Sequence, residues 1–426
     1  MFHRAVCAPA RGPITRKPMV AVVAAFTLVA GLSWVCVPPA AATPPPTVSA
    51  ATVSQALNLY ARQLTGAYDR AVSPNTRTIL AGSSLKPMAL DAATSLKQAQ
   101  FAEAQAGWMR DTYASSGLAI RGTTVLITPL SYAMSGANIV ATVDMTSRVS
   151  SIGAVDGTAV SSSWSDQHVI TLAPTVGPGG VSYQAISDKY VAPPSEGVSG
   201  GPAAATGGMK PSSASLPTVS VPAPATSGGF TTYGGAQPYK INVQQFVAYA
   251  DKWTAYPNEN KMNPAYPIYS NNCTNFGSQV LDNAGFILIG GNSLQVWDTN
   301  VWTFNLAGIA GASRTWTAAN YSYSYVYYKS GQYGWLDNIW NARPGDVLYV
   351  DWDPNGRADG TIDHMMVVTG MMTVTGSNSP TGGSFYSPLI SQKTNNRHNI
   401  PLQQSINLAK ANGVTSMVWY GLKHKA

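Results

Sequence analysis

Asn271-Asn272-Cys273-Thr274-Asn275-Phe276 is the stretch on which the reading of this chain turns. From Thr274 to Ala284 the apolar residues Phe276, Val280, Leu281 and Ala284 recur at helical spacing, and Gly285 supplies a stop. A short helix is predicted, capped by Asn271 or Asn272. A cysteine at such a helix start meets free amide N–H groups and the positive end of the helix dipole, which favour the thiolate. The same N–H groups suit an oxyanion. Cysteine chemistry also needs a base, and Asp363-His364 opens the apolar run Met365-Met366-Val367-Val368, the pattern of a buried strand. The expected fold is therefore α+β, with a Cys-bearing helix packed on an antiparallel sheet that carries the histidine.

The thiol stands alone once the start of the chain is considered. Residues 1–42 have the anatomy of a secretory signal: Arg4, Arg11, Arg16 and Lys17, an apolar stretch over 19–37, then Ala40-Ala41-Ala42. An uncleaved membrane anchor is the rival reading, weakened by Gly31, Ser33 and Pro38. Cleavage removes Cys7 and Cys36 and leaves Cys273 as the single cysteine of an exported chain, unable to form an internal disulfide. An unpaired thiol outside the cell is open to oxidation, so catalysis is its usual reason; the bland alternative is a small buried core residue. The leader holds four basic and no acidic residues, so the net charge of +7 falls to +3 without it. No cluster of Lys or Arg remains to read nucleic acid.

The rest of the 426 residues is enough for two domains. Residues 49–113 read as helical, with one segment around Ala56, Leu59, Tyr60 and Leu64 and another over 92–113. Strands follow at 123–129, 137–149, 168–174 and 181–191, so residues 49–192 are expected to form a small α+β domain. His168 there reads as an ordinary surface or half-buried side chain. Residues 193–232, rich in Gly, Pro, Ser and Thr, read as a flexible linker that lets the two domains move independently. Residues 233–426 form the second domain, expected from about Tyr233 onward to fold and react without the first.

That domain opens with Asn242-Val243-Gln244-Gln245, a cap leading into a helix whose buried face is Val243, Phe246, Ala250 and Trp253. The stretch 296–340 is dense in Trp and Tyr, and the alternation Tyr321-Ser322-Tyr323-Ser324-Tyr325 suggests a strand; its rings could stack on sugars, but core packing is the favoured reading. Val347-Leu348-Tyr349-Val350 is a short apolar strand, and 385–393 and 416–422 supply more. Between the first of these and His364, Asp351-Trp352-Asp353-Pro354-Asn355-Gly356 has the opening spacing of a calcium loop. Ile362 stands where the closing Glu belongs, with Asp359 and Asp363 as partial substitutes, so a polar hairpin tip is the alternative and no metal is assigned.

Several separated motifs carry a resemblance. Phe246 to Trp253, Asn263-Pro264-Ala265-Tyr266-Pro267, Asn272 to Phe276, Pro344-Gly345-Asp346, Asp353 to Gly360, Asp363-His364, Thr394-Asn395-Asn396-Arg397 and Pro401-Leu402 follow one another as in the putative amidase domain of secreted bacterial proteins. The similarity covers roughly residues 242–422. It implies a papain-like fold related to the NlpC/P60 and CHAP hydrolases, with Cys273 as nucleophile and His364 as base. Two positions depart from the family pattern: Asn272 stands where Asp precedes the cysteine, and Lys393 where His precedes the Thr-Asn pair. A charged lysine would repel an imidazolium. Of the nearby residues, Asn395 shares its strand face and offers a neutral acceptor, so it is the expected orienting group. Asn272 and Asn275, flanking the nucleophile, are the expected substrate contacts.

The function expected from this is that of a secreted cysteine amidase acting on peptide or peptidoglycan-like amides, associated with the cell wall, requiring no cofactor, binding no nucleic acid and making no stable membrane association after signal cleavage. The alternative is a catalytically inactive wall-binding or scaffolding module of the same fold; acyl transfer is a third outcome.

Overall fold

The computed structural model describes residues 48–72, 107–178, 180–191, 210–216, 241–309, 311–352, 358–374 and 385–425. Helix α1 (Ala50–Val72) and the described part of α2 (107–115) precede four long strands, β1 (Leu118–Ser135), β2 (Asn138–Gly153), β3 (Ala159–Gly177) and β4 (Gly180–Tyr190). Then come α3 (Val243–Thr254), α4 (Cys273–Asn283), α5 (Arg314–Thr317), α6 (Ala319–Ser324), β5 (Tyr333–Leu336), β6 (Val347–Asp351), β7 (His364–Val374), β8 (Phe385–Gln392), β9 (Arg397–Pro401), α7 (Leu402–Ala411) and β10 (Val418–His424). The molecule is α+β, built on one ten-stranded sheet in the order β1-β2-β3-β9-β8-β7-β6-β10-β5, with β4 paired to β3. Every pairing between these strands is antiparallel.

The expectation that the segments on either side of residues 193–232 move independently is corrected. One edge of β3 pairs with β4 over His168–Gly177 and with β9 at Ser163 and Trp164, so the sheet runs unbroken from the first segment into the second. One apolar core is shared as well: Leu57, Leu64, Ile139 and Val143 belong to the same cluster as Met366, Val368, Phe385 and Leu389. Linker composition describes only the covalent connection, whereas exposed strand edges and apolar faces decide what docks.

Part of the expected linker is itself attached. Ser212 bridges to Trp419 and Ser213 to Asn338, and Ser212 Oγ donates to the Leu336 carbonyl at 2.5 Å. The indoles of Trp335 and Trp340 donate to the carbonyls of Lys210 and Ala214. Residues 210–216 have few apolar side chains of their own; they use main-chain groups and the partner's tryptophans.

The apolar runs in β6 and β7 lack alternation because both faces are covered. Leu348, Val350, Met366 and Val368 face the shared core, while Val347, Tyr349, Met365 and Val367 face a second core with Phe246, Phe276, Val280 and Trp316. On α3, Asn242 Oδ1 accepts from Gln245 N at 3.0 Å, as its capping sequence predicts; Phe246 and Ala250 are buried and Val243 and Trp253 half-buried. The aromatic stretch fills this second core: the Trp302 ring packs tilted against Trp316, centroids 4.6 Å apart, and lies parallel to Tyr325.

Residues 321–325 are not a strand. They close α6 and enter a π turn at Tyr325–Lys329, and all five are buried. The serines in the alternation serve close packing on the helix: Ser322 Oγ lies 2.9 Å from the Tyr349 hydroxyl and 3.8 Å from Met365 Sδ.

Candidate active site

Cys273 is the first residue of α4 and is fully buried. Its Sγ lies 3.5 Å from Thr274 Oγ1 and 4.0 Å from the carbonyl oxygen of Asp363, the residue immediately before His364. Two features bring the helix this close to β7. Gly277 lies one turn after Cys273 on the same face, and a Cβ there would stand 2.5 Å from Met365 Sδ, so a larger residue requires the Met365 side chain to move. Ser278 and Asn275 then fix the helix to α5, through Ser278 Oγ donating to the Trp316 carbonyl and the Trp316 indole donating to Asn275 Oδ1.

Asn272 holds the cap position but its side chain makes no capping hydrogen bond. Its Oδ1 accepts from Asn275 Nδ2 at 2.7 Å and its Nδ2 rests on Met262 Sδ. Asn275 also donates to the Pro267 carbonyl. Both asparagines expected at the substrate are thus buried and bonded inside the protein, where they fasten the 263–267 loop to the helix start. The first-turn amides of α4 receive no acceptor from Asn272.

His364 opens β7, paired with Val350, and is only 6% exposed. Burial pulls its pKa down to about 4, with Arg397 acting in the same direction and Gln392, as an acceptor for the protonated ring, opposing. Trp352 covers one face of the imidazole, ring centroids 4.9 Å apart. His364 Nε2 and Gln392 Oε1 are both buried without a hydrogen-bond partner, and Gln392 is the amide whose side chain acts on the ring.

Gln392, not Asn395, is therefore the amide beside His364. The expectation for Asn395 assumed that the strand continues past Lys393, but β8 ends at Gln392 and Thr394 and Asn395 both have positive φ, 59° and 58°. Positive φ at both central residues is what a type I′ hairpin turn requires, and it turns the Asn395 side chain to the Tyr190 hydroxyl, to which it donates at 2.6 Å. The Asn395-Asn396 pair was the available turn signal. Thr394 Oγ1 accepts from the amide of Asn272, so this turn touches the residue before the nucleophile.

Lys393 is nearly fully buried and points to the carbonyls of Glu259 and Asn258, at 2.8 and 3.2 Å. Burial lowers its pKa to about 7 against the opposing pull of Glu259, so above neutral pH the position carries little charge to repel an imidazolium. Trp352 is the neighbour that sequence reasoning missed, because its loop was read only for carboxylates. In that loop 353–357 lie outside the described residues; Asp351 accepts from Gly360 N at 2.8 Å, and Asp363 Oδ2 from Trp352 N. Among the described residues no group of three His, Cys, Asp or Glu side chains is placed to hold a metal ion.

In the first segment, His168 is half-buried and sits 2.6 Å from Asp188, which also accepts from the Tyr60 hydroxyl. No helix among the described residues is long and apolar enough to cross a membrane.

The thiol at the start of α4 thus meets the main chain just before β7, whose first residue is His364. Residues 240–418 match the family model described as a putative amidase domain, which points to hydrolysis of amide bonds. The match takes in α3 through the start of β10 and leaves out β1 to β4. No curated protein matches the chain.

Proposed function

We propose that the chain is a cysteine amidase of papain-like arrangement, in which Cys273 attacks the amide carbonyl and His364 moves the proton. What supports this reading is Cys273 Sγ at the N-terminus of α4, 4.0 Å from the main-chain carbonyl of Asp363, the residue before His364 in sequence. On β7 His364 alternates with Met366 toward the shared core while α4 packs on the Met365 face, so the reading requires the imidazole to turn toward the thiol. The thiol proton passes to the imidazole, and the thiolate forms a C–S bond as the carbonyl π pair moves onto oxygen. First-turn amides of α4 are the donors available to that oxyanion. Collapse breaks the C–N bond while the imidazolium protonates the leaving amine; water, deprotonated by the same imidazole, then releases the acyl group as a carboxylate and restores the thiol. Gln392 acts on the ring from β8, and Trp352 covers one face of it and shields it from water.

Peptide amides of a peptidoglycan-like wall are the proposed substrate class, and export the proposed setting; both rest on the leader-like start and on the resemblance of the domain to those of secreted proteins. Purified protein incubated with isolated wall material and followed by mass spectrometry tests this: new carboxyl and amine termini that vanish in Cys273→Ala support hydrolysis, and unaltered wall refutes it. N-terminal sequencing of exported protein that began at Met1 would refute leader cleavage.

Complete burial of Cys273 supports a second reading, a wall-binding module that keeps the shape without turnover. Adsorption to wall material without cleavage, together with Cys273 alkylation no faster than that of a free thiol, would favour it.

A further inference from the structure

The described strands β2, β3 and β4 lie outside the matched amidase stretch, yet each places a side chain on the loops around Cys273 and His364. From β2, Arg148 pairs with Glu259, whose carbonyl receives the Lys393 ammonium; Arg148 also lies 4.3 Å over the ring of Tyr256. From β3, Asp166 holds Arg397 at 2.7 Å in a pair whose side chains are 6% and 5% exposed. The backbone reinforces it, with Ser165 N donating to Asn396 O and Arg397 Nη1 to Ser165 O. From β4, the Tyr190 hydroxyl accepts from Asn395.

All three contacts converge on one structure. Gln392, the last residue of β8, acts on His364 from just before the turn, and within the turn Thr394 accepts the amide hydrogen of Asn272 beside the nucleophile. The loop at 258–262 carries Glu259 and also Met262, on which the Asn272 amide rests. Within the turn the internal tie is Gln392 Nε2 donating to the Asn395 carbonyl at 3.4 Å, and Thr394 joins the turn to Asn272 at the start of α4. Charged and aromatic groups from strands 111 to 231 residues away in sequence add further constraint.

We infer that β2, β3 and β4 are a structural part of the active site, with Arg148, Asp166 and Tyr190 as positioning residues that fix the 393–396 turn and the 258–262 loop around Cys273 and His364. The inference rests on the reading of those two residues as the reacting pair only for its functional consequence; the positioning itself is read independently of turnover. It reverses the expectation that residues from about Tyr233 onward react by themselves.

The test compares full-length wild type with Tyr190→Phe, Arg148→Gln, Asp166→Asn and Asp166→Glu by hydrogen exchange, with isolated wall material as a separate activity probe. Each lost contact should speed exchange of the amides at 271–274 and 393–397 by up to about tenfold, the range for one hydrogen bond in a local opening. Exchange in the β1–β2 ladder should stay within about twofold in Tyr190→Phe, since no ladder bond is touched. Asp166→Glu should restore protection that Asp166→Asn loses. Unchanged exchange at both stretches, or a rise spread evenly over the sheet, overturns the inference. Should Asp166→Asn fail to fold, Tyr190→Phe and Arg148→Gln decide it by the same criterion. Localised loosening in a protein whose wild type leaves wall material uncut would uphold the positioning role and refute the amidase reading.

Discussion

The indole of Trp352 lies over the imidazole of His364, with ring centroids 4.9 Å apart and planes inclined by 28°. Trp352 in turn meets Trp419 edge to face, so the indole is held while it excludes water from the base. Replacing it by Ala should let water reach the ring and raise the His364 pKa from about 4 toward its ordinary value of 6.5. Histidine-selective NMR titration reads this directly; a midpoint that stays near its wild-type position would show that Trp352 is not what desolvates the ring.

Gln392 and Asn395 separate by function. Gln392→Ala should lower turnover of a cleavable amide by more than about tenfold with the fold retained, in line with loss of a group that orients a catalytic imidazole. Asn395→Ala removes only the bond to Tyr190, one constraint on the turn, and should have the smaller effect. Turnover of the two variants with matched circular dichroism spectra is the measurement, and a larger loss in Asn395→Ala would reverse the assignment.

Gly277→Ala should destabilise the protein by about 1–3 kcal/mol, because the new methyl must displace the buried Met365 side chain where α4 packs on β7. Adding Met365→Val, which shortens the opposing side chain, should recover part of that loss. Denaturant unfolding of the single and double variants tests the pair; additive losses would mean that the two residues do not meet.

Stability should fall as pH drops from about 6.5 to about 4. His364 and His398 both have pKa values pulled down to about 4 by burial, so in this window the unfolded chain binds protons that the folded chain refuses. Stability then rises with pH across the window and is fully present above it. Asp251, raised to about 6 by burial, and Asp144 and Asp282, raised less by the same cause, bind their protons in the folded state first and oppose the trend, but the larger downward shifts of the two imidazoles set the net slope. Thermal unfolding at stepped pH checks the slope, and His398→Asn, which removes one of the two imidazoles, should flatten it. A wild-type transition that is independent of pH between 4 and 6.5 would contradict the shifts.

Much of this protein was legible along the chain. The Cys273 helix, the His364 strand, the α3 cap at Asn242 and the four strands between residues 118 and 190 all follow from local periodicity, caps and turn residues, whose physics acts within one or two turns of chain. The motifs from Phe246 to Pro401 are likewise local, and they suffice to place the amidase match.

What tertiary structure alone decided is every relationship that depends on which faces and edges meet. Strand alternation predicted Asn395 at the imidazole, but two residues with positive φ rotate it to Tyr190 and leave Gln392 there. A Ser-Tyr alternation with strand period became a buried helix because its neighbours cover all its sides. A linker of low complexity implied two independent bodies, while the free edge of β3 found β9, and Asp166 found Arg397. Hydrogen-bonding edges, buried charges and apolar faces act through space, without regard to separation in sequence. The residue types at 166 and 397 were in plain view; their pairing exists only because the sheet closes between them.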